Sequence, residues 1–325
     1  MPVEARPRWR GRQPIGNKTV DFNKVSYPCF LMSPPFFLDA GEANNVFMQE
    51  LTPAQRKIDK SKALVQFLDV YNFLSSIGMV YLLPSYAGLQ DQPFVANLGV
   101  VLPHVKDYTV VVANFRSPPR QGETLPGFAF LKMLGINEPV TVCPKYFEGE
   151  ADCKYLRDNI YFMPYGMRTT SAAIKWFAET YDMNIIPIRL KNPEAYHLDC
   201  CVFPITRDKV VVATTEIDPA EIKEIEKVAE IISAPKEIMV AGATNCVRVR
   251  RLVLVGSDIR QLSAKDADYA VQRQLVDFVE KTAADNSMES VVFNISEFGK
   301  SGAALSCLVM HLNYFDFQPG RSESG

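Results

Sequence analysis

The stretch Val210-Val-Val-Ala-Thr214, followed at once by Asp218-Pro219 and then by Ile222, Ile225, Ala229 and Ile232 at helical spacing, decides the fold class. A short β-branched run predicts a strand. Asp-Pro then predicts an N-cap with proline in the first helical turn, and the isoleucines predict one apolar helix face. The same unit recurs along the chain. Strands are predicted at Val110 to Ala113, Asn184 to Leu190, Arg248 to Val255 and Ser290 to Ile295. Thr52-Pro53 opens a helix carrying Leu64, Phe67, Leu68, Tyr71 and Leu74. Thr170 to Tyr181 makes another, and Ser263 precedes one with Val271, Leu275, Phe278 and Val279. Helices thus recur roughly every 50 to 100 residues with several strands between them. That spacing predicts repeated strand-rich modules with one helix each, an α/β chain unlike a regularly alternating parallel sheet.

Composition narrows the function. The chain has 325 residues, 47% hydrophobic and 22% charged, which is ample for a core. Its net charge of −2 gives no global pull toward nucleic acid or an anionic membrane. No apolar run reaches the length of a membrane span. Residues 1–24 read as a disordered basic tail, 25–316 as a single compact domain and 317–325 as a flexible tail. Seven cysteines at irregular spacing, with no C-x-x-C pair, argue against zinc and redox motifs and for a reducing, cytoplasmic setting. The three histidines are far apart, so no metal site is expected. His104 and His311 read as structural or solvated. G-x-G-x-x-G and the P-loop pattern are absent.

Two segments carry the chemistry. Tyr196-His-Leu-Asp199 runs into the apolar Cys200 to Ile205, and Ser301-Gly-Ala-Ala-Leu-Ser-Cys307 runs into Leu308-Val-Met310. A thiol becomes a nucleophile when a neighbour takes its proton, and histidine commonly does so. The alternatives are a buried strand cysteine and a core histidine satisfied by Asp199. On a strand, residues i and i+2 share a face, so His197 and Asp199 are expected to point into one cavity. Phe147-Glu-Gly-Glu-Ala-Asp152 packs three carboxylates around small residues, either as a polar turn or to orient a proton carrier. Asp91-Gln-Pro-Phe-Val-Ala-Asn97 leads into a strand. Arg116, Arg120 and Glu123 form a loop that is either solvated or, like Arg168, a fork for a carboxylate.

In this order along the chain, with Leu31-Met-Ser-Pro-Pro-Phe36, Asn45-Val-Phe-Met48, Arg120-Gln-Gly-Glu123, Tyr165-Gly-Met-Arg168 and Asn245-Cys-Val-Arg-Val249, these landmarks resemble the guanidino-group-modifying superfamily. Its members are arginine deiminases, dimethylarginine hydrolases, amidinotransferases and arginine dihydrolases. The resemblance implies the pentein α/β-propeller, five ββαβ-type modules around a pseudo-fivefold axis. It implies Cys307 as nucleophile on the guanidinium carbon, His197 as proton carrier and Glu148 completing the catalytic set. It places Asp91, Phe94, Asn97 and Asp199 against the substrate, and Arg120 and Arg168 on an amino acid's α-carboxylate. No cofactor is expected, because the thiol performs the covalent step. The expected partner is a small guanidino or ureido amino acid, with self-association into a homo-oligomer left open.

Departures from the family patterns set the subclass. Ala96-Asn97 stands where deiminases carry Arg-Asp and many dimethylarginine hydrolases Glu-Asp, and it resembles the arginine dihydrolase group, which takes arginine to ornithine. A neutral amide can both donate and accept, so it could hold a ureido group for a second attack. Glu150 adds a carboxylate expected near the site, and Asn44-Asn45 is similar to citrulline-hydrolysing relatives. Hydrolysis of arginine or a close analogue is the leading expectation. Dimethylarginine or citrulline hydrolysis, amidino transfer to an amine and a non-catalytic binding role are the alternatives.

Overall fold

The computed structural model describes residues 20–135 and 140–315. Its strands form five separate three-stranded sheets, each built on one plan. Cys29–Met32 (β1) pairs in parallel with Met79–Leu82 (β2), across the helices Val46–Glu50 (α1) and Lys60–Ile77 (α2). Gly99–Val101 (β3) and Val110–Val112 (β4) form a hairpin. Thr124–Met133 (α3) then crosses over to Val140–Val142 (β5), which lies parallel to β4. The plan repeats in Lys154–Arg157 (β6), Ile160–Tyr165 (β7), Ser171–Tyr181 (α4) and Asn184–Arg189 (β8). It repeats again in Val202–Pro204 (β9), Lys209–Val212 (β10), Pro219–Glu226 (α5) and Glu230–Ser233 (β11).

After Lys236–Val240 (α6), the fifth module runs through Val247–Val249 (β12), Leu252–Gly256 (β13), Tyr269–Asp285 (α7) and Glu289–Phe293 (β14). After Ser296–Gly299 (α8), the two-residue Met310–His311 (β15) pairs antiparallel with β1, so the end of the chain completes the first sheet. The α/β pentein class expected from the sequence is the architecture found, as five sheets; among the described residues the strands of different sheets do not pair, and an isolated antiparallel bridge joins Asn114 and Phe147.

The modules are positioned by burial. Strands β3, β4 and β12 are buried along their whole length, and side chains from neighbouring modules close the core between sheets. One cluster joins Leu31 of β1, Val111 of β4 and Tyr161 of β7, and another joins Phe30, Phe67, Leu254 and Leu308. Continuous apolar strands of this kind suit sheets covered on both faces.

Local chemistry moved several expected boundaries. Thr52 closes a turn with Gln55 instead of opening a helix, and α2 starts at Lys60, where Asp59 accepts a hydrogen bond from the Lys62 N–H at 3.0 Å. Helix α5 ends at Glu226, and Ile232 belongs to β11, opposite Val211; adjacent β-branched residues favour the returning strand. Arg248 to Val255 is not one strand but the hairpin β12–β13, turned at Arg250 with φ +52°. Ser263 lies in a turn with Asp266, and α7 begins only at Tyr269. Part of the expected N-terminal tail is ordered: Phe22 sits in the core, and its carbonyl accepts from Asn313 Nδ2 at 2.9 Å. The expected tail 317–325 lies outside the described residues. Among those described, no helix is long and apolar enough to cross a membrane.

Candidate active site

In each module a short turn precedes the first strand, and these turns carry the polar residues. Val95–Asn97 precedes β3, Glu150–Asp152 precedes β6, Leu198–Cys200 precedes β9, and Leu305–Leu308 leads to β15, all as 3-10 turns. Asn245 follows the turn 241–244 that precedes β12. Asn97 and Cys307 lie within such turns, while Glu148, His197 and Asn245 flank the turns of their own modules. All are buried.

Glu148 is wholly buried, and its Oε2 lies 2.7 Å from His197 Nε2. The backbone N–H groups of Arg116 and Ser117 donate to its other oxygen at 3.1 and 3.3 Å. Burial alone would raise this carboxyl. The hydrogen bond and charge of His197, helped by Arg168 and Arg120, instead hold it at about 2. Glu148 is thus a fixed carboxylate that aligns the imidazole. Gly149, at φ +67°, makes this turn: a Cβ there would meet the carbonyl oxygen of Ala96 at 2.4 Å.

The three carboxylates of 148–152 go separate ways. Glu148 takes His197. Glu150, expected near the site, instead holds His311, with Oε1 2.6 Å from Nδ1 and Oε2 accepting the His311 backbone N–H at 2.8 Å. Asp152 accepts from the Leu198 N–H at 3.0 Å and the Thr169 hydroxyl at 2.7 Å, which fixes the turn bearing His197.

His197, Cys307, Asp91, Phe94, Asn97, Arg120, Arg168 and Tyr196 line one narrow pocket with about 20 Å³ of free volume. Asp199 was expected beside His197 on a strand face. The segment is a 3-10 turn, so Asp199 lies instead on a second cavity of about 300 Å³ that shares Tyr196, Ala303 and Cys307 with the first. Its Oδ2 accepts from the Ser306 hydroxyl at 2.9 Å and lies 3.9 Å from Cys307 Sγ. Glu148, not Asp199, orients His197. Burial, then the Asp199 charge, pushes the Cys307 thiol up to about 12. At neutral pH it is a thiol.

Asn245 was quoted in the sequence without a role. Its Nδ2 lies 3.6 Å from Cys307 Sγ, and its Oδ1 accepts from the backbone N–H of Ser306 at 2.9 Å and lies 2.9 Å from the Ser306 hydroxyl oxygen. Asn44 and Asn45 also border the pocket. Asn44 donates to Asp91 Oδ2 at 2.6 Å, and Asn45 donates to the Ser301 carbonyl at 2.9 Å. Burial raises the Asp91 carboxyl, with Arg120 and its hydrogen bonds opposing.

The two arginines differ. Arg168 is partly exposed beside the pocket mouth, 3.6 Å from Glu148, and bonds the Asn44 carbonyl at 2.6 Å. Arg120 is buried and its donors are engaged within the protein. It pairs with both Glu123 oxygens at 2.9 and 2.8 Å, the Phe94 carbonyl at 3.1 Å and Asn97 Oδ1 at 2.8 Å. Guanidinium only donates, so this contact settles which way the Asn97 amide faces. The oxygen meets Arg120 and the NH₂ turns toward His197 Nε2 at 3.4 Å. Among the described residues, no group of three His, Cys, Asp or Glu is placed to hold a metal ion.

A thiol, an imidazole aligned by a carboxylate and an acidic pocket together suit covalent chemistry on a planar cation. Known proteins resemble this chain. The chain is 26% identical over 297 residues to the bifunctional arginine dihydrolase/ornithine cyclodeaminase AgrE of Nostoc, covering 90% of this chain but 38% of that protein. It is 24% identical over 285 residues to the N(G),N(G)-dimethylarginine dimethylaminohydrolase of Mycobacterium tuberculosis, covering 87% of this chain and 85% of that one. The N-terminal domain of ArgZ, an arginine dihydrolase from cyanobacteria, superposes with a TM-score of 0.76 at 23% identity, covering 88% of this chain and 98% of that one, and so shares the fold. Residues 34–314 match the family described as N,N dimethylarginine dimethylhydrolase, eukaryotic, and the chain belongs to it.

Proposed function

We propose that this protein hydrolyses the guanidino group of arginine or a close analogue through a covalent adduct on Cys307. The observation that carries the reading is that Cys307 and His197 line one pocket with Asp91, while the buried Glu148 backs His197 at 2.7 Å. The guanidinium enters as a cation, and its charge beside Sγ favours the thiolate. His197 takes the thiol proton. Sγ bonds to the guanidino carbon, and the C–N bond to a terminal nitrogen breaks as His197 returns the proton, releasing ammonia. A water that loses its proton to His197 then adds to the same carbon. The C–S bond breaks, the sulfur regains a proton and citrulline is formed. Arg168, partly exposed beside the pocket, is the residue we assign to the α-carboxylate. Arg120, with its donors engaged by Glu123, Asn97 and backbone carbonyls, supports Asn97 rather than the carboxylate.

The direction of the Asn97 amide favours a second round. Its N–H groups find no acceptor on a guanidinium, but the carbonyl oxygen of a ureido group is one. Citrulline held there exposes its carbon to Cys307 again. Attack expels a second ammonia, and hydrolysis of the resulting thiocarbamate gives a carbamate that loses carbon dioxide to leave ornithine. The family match favours a second reading, hydrolysis of dimethylarginine, in which the same steps release dimethylamine.

The test is acid quenching during turnover, followed by mass spectrometry of the Cys307 peptide. A peptide carrying arginine less ammonia is expected. An unmodified Cys307 peptide under turnover, or full activity in Cys307→Ser, would overturn the reading.

A further inference from the structure

Two residues lining the nucleophile's pocket have a buried side-chain oxygen with no hydrogen-bond partner among the described residues: Asp91 Oδ1 and Ser301 Oγ. Both residues are nearly inaccessible, at 2% and 3% exposure. The backbone of Ser301 is already committed. Its N–H donates to the Phe298 carbonyl at 3.0 Å, and its carbonyl accepts from Asn45 Nδ2 at 2.9 Å. Only the hydroxyl is left over. The loop that carries it is fixed on its other side, because the Tyr196 hydroxyl donates to the Gly302 carbonyl at 2.7 Å. Gly302 has φ +75°, and a Cβ there would meet Asn45 Oδ1 at 2.6 Å. A buried hydroxyl in a fixed loop beside a nucleophile is normally matched by something that binds there.

We propose that Ser301 is a specificity-determining residue, whose hydroxyl accepts a hydrogen bond from the terminal guanidino nitrogen that stays on the substrate. The inference rests on the proposed function and names which guanidines the site takes. A guanidinium offers only N–H donors, and the Asn97 amide turns its own N–H groups inward. The acceptors must therefore come from elsewhere in the pocket, and the two unmatched oxygens supply them. One terminal nitrogen departs with the proton from His197, so methyl groups on it leave with the amine. The other stays against Ser301 and Asp91. A methyl there removes one donor and puts an apolar group against the two unmatched oxygens. The site should accept arginine and asymmetric dimethylarginine, and reject symmetric dimethylarginine, which carries a methyl on each terminal nitrogen.

The test is calorimetric titration of Cys307→Ser protein, where ligands persist without turnover, with arginine and symmetric dimethylarginine. Arginine is expected to bind more tightly. Adding Ser301→Ala should weaken arginine by about 10- to 100-fold while changing symmetric dimethylarginine little, so the preference collapses. Ser301→Gly makes the same deletion and should give the same ratio, which covers a folding defect in the alanine variant. An unchanged preference in both variants, or equal loss of both ligands in both, would overturn the assignment. If Cys307→Ser protein with Ser301 intact binds no guanidine at all, the functional reading itself fails, and Ser301 loses this partner with it.

Discussion

Replacing Asp199 by asparagine should make Cys307 more reactive as a thiol and less able to turn over. Asp199 Oδ2 lies 3.9 Å from Sγ, and after burial its charge is the next cause that pushes the thiol up to about 12. A unit charge about 4 Å away at an effective dielectric of about 20 is worth about 4 kcal/mol, a ceiling of roughly three powers of ten in thiolate population. The Ser306 hydroxyl already donates to this carboxylate and softens its field, so a gain of about 10- to 100-fold is expected. Asparagine keeps an acceptor for Ser306, so the turn should survive. The sign is direct: losing a negative neighbour stabilises the thiolate, and alkylation rises at lower pH. The assay is iodoacetamide labelling of the Cys307 peptide from about pH 6 to 10, followed by mass spectrometry. Faster labelling with impaired turnover separates thiol activation from substrate binding. A labelling profile that stays put or moves to higher pH would refute the electrostatic account.

Other consequences can be checked by simpler means. Glu150→Gln should cost about 3 to 5 kcal/mol in urea unfolding, because it strips His311 of a buried partner 2.6 Å away. His311 is raised by Glu150 against the effect of burial, so its contribution is full below its ordinary 6.5 and is lost as pH rises through the raised value. Glu150 is lowered by His311 against burial, so its contribution is full above 4.5 and is lost in acid. The cost of the substitution should therefore peak between about pH 4.5 and 6.5. Arg120→Met should destabilise by a similar amount by leaving Glu123 buried and unpaired, as read by thermal or urea melting. Asn97→Asp puts an acceptor where an N–H now faces the pocket, so the share of arginine released as citrulline should rise, measured by chromatography of products.

The sequence shows its motifs more clearly than its geometry. Val210 to Thr214 and the helix after Asp218-Pro219 were readable because β-branching and proline act locally. The strand β15 was not, since two residues become a strand only by meeting β1 across the whole length of the chain. Cys307, His197 and Glu148 are singled out by resemblance; the structure puts Cys307 and His197 on one pocket and Glu148 behind His197. The partners within the cluster were not legible. Whether Glu148 or Asp199 meets His197 depends on the turn at Leu198–Cys200, which a period-two reading takes for a strand. Glu150 looked like part of the site because it is two residues from Glu148, yet Gly149 turns the chain between them. Asn245 carried a signal in its place among the landmarks, but its role follows only from the turn before β12 meeting the Cys307 loop.

The most direct test of the central claim is the stoichiometry of products from purified protein and arginine, with ammonia, citrulline and ornithine quantified together. Two ammonia per ornithine, with citrulline transient and all turnover lost in Cys307→Ser, is the predicted result. Ammonia and citrulline in equal amounts with no ornithine would contradict the second round assigned to Asn97, and no ammonia from arginine at all would contradict arginine as the substrate.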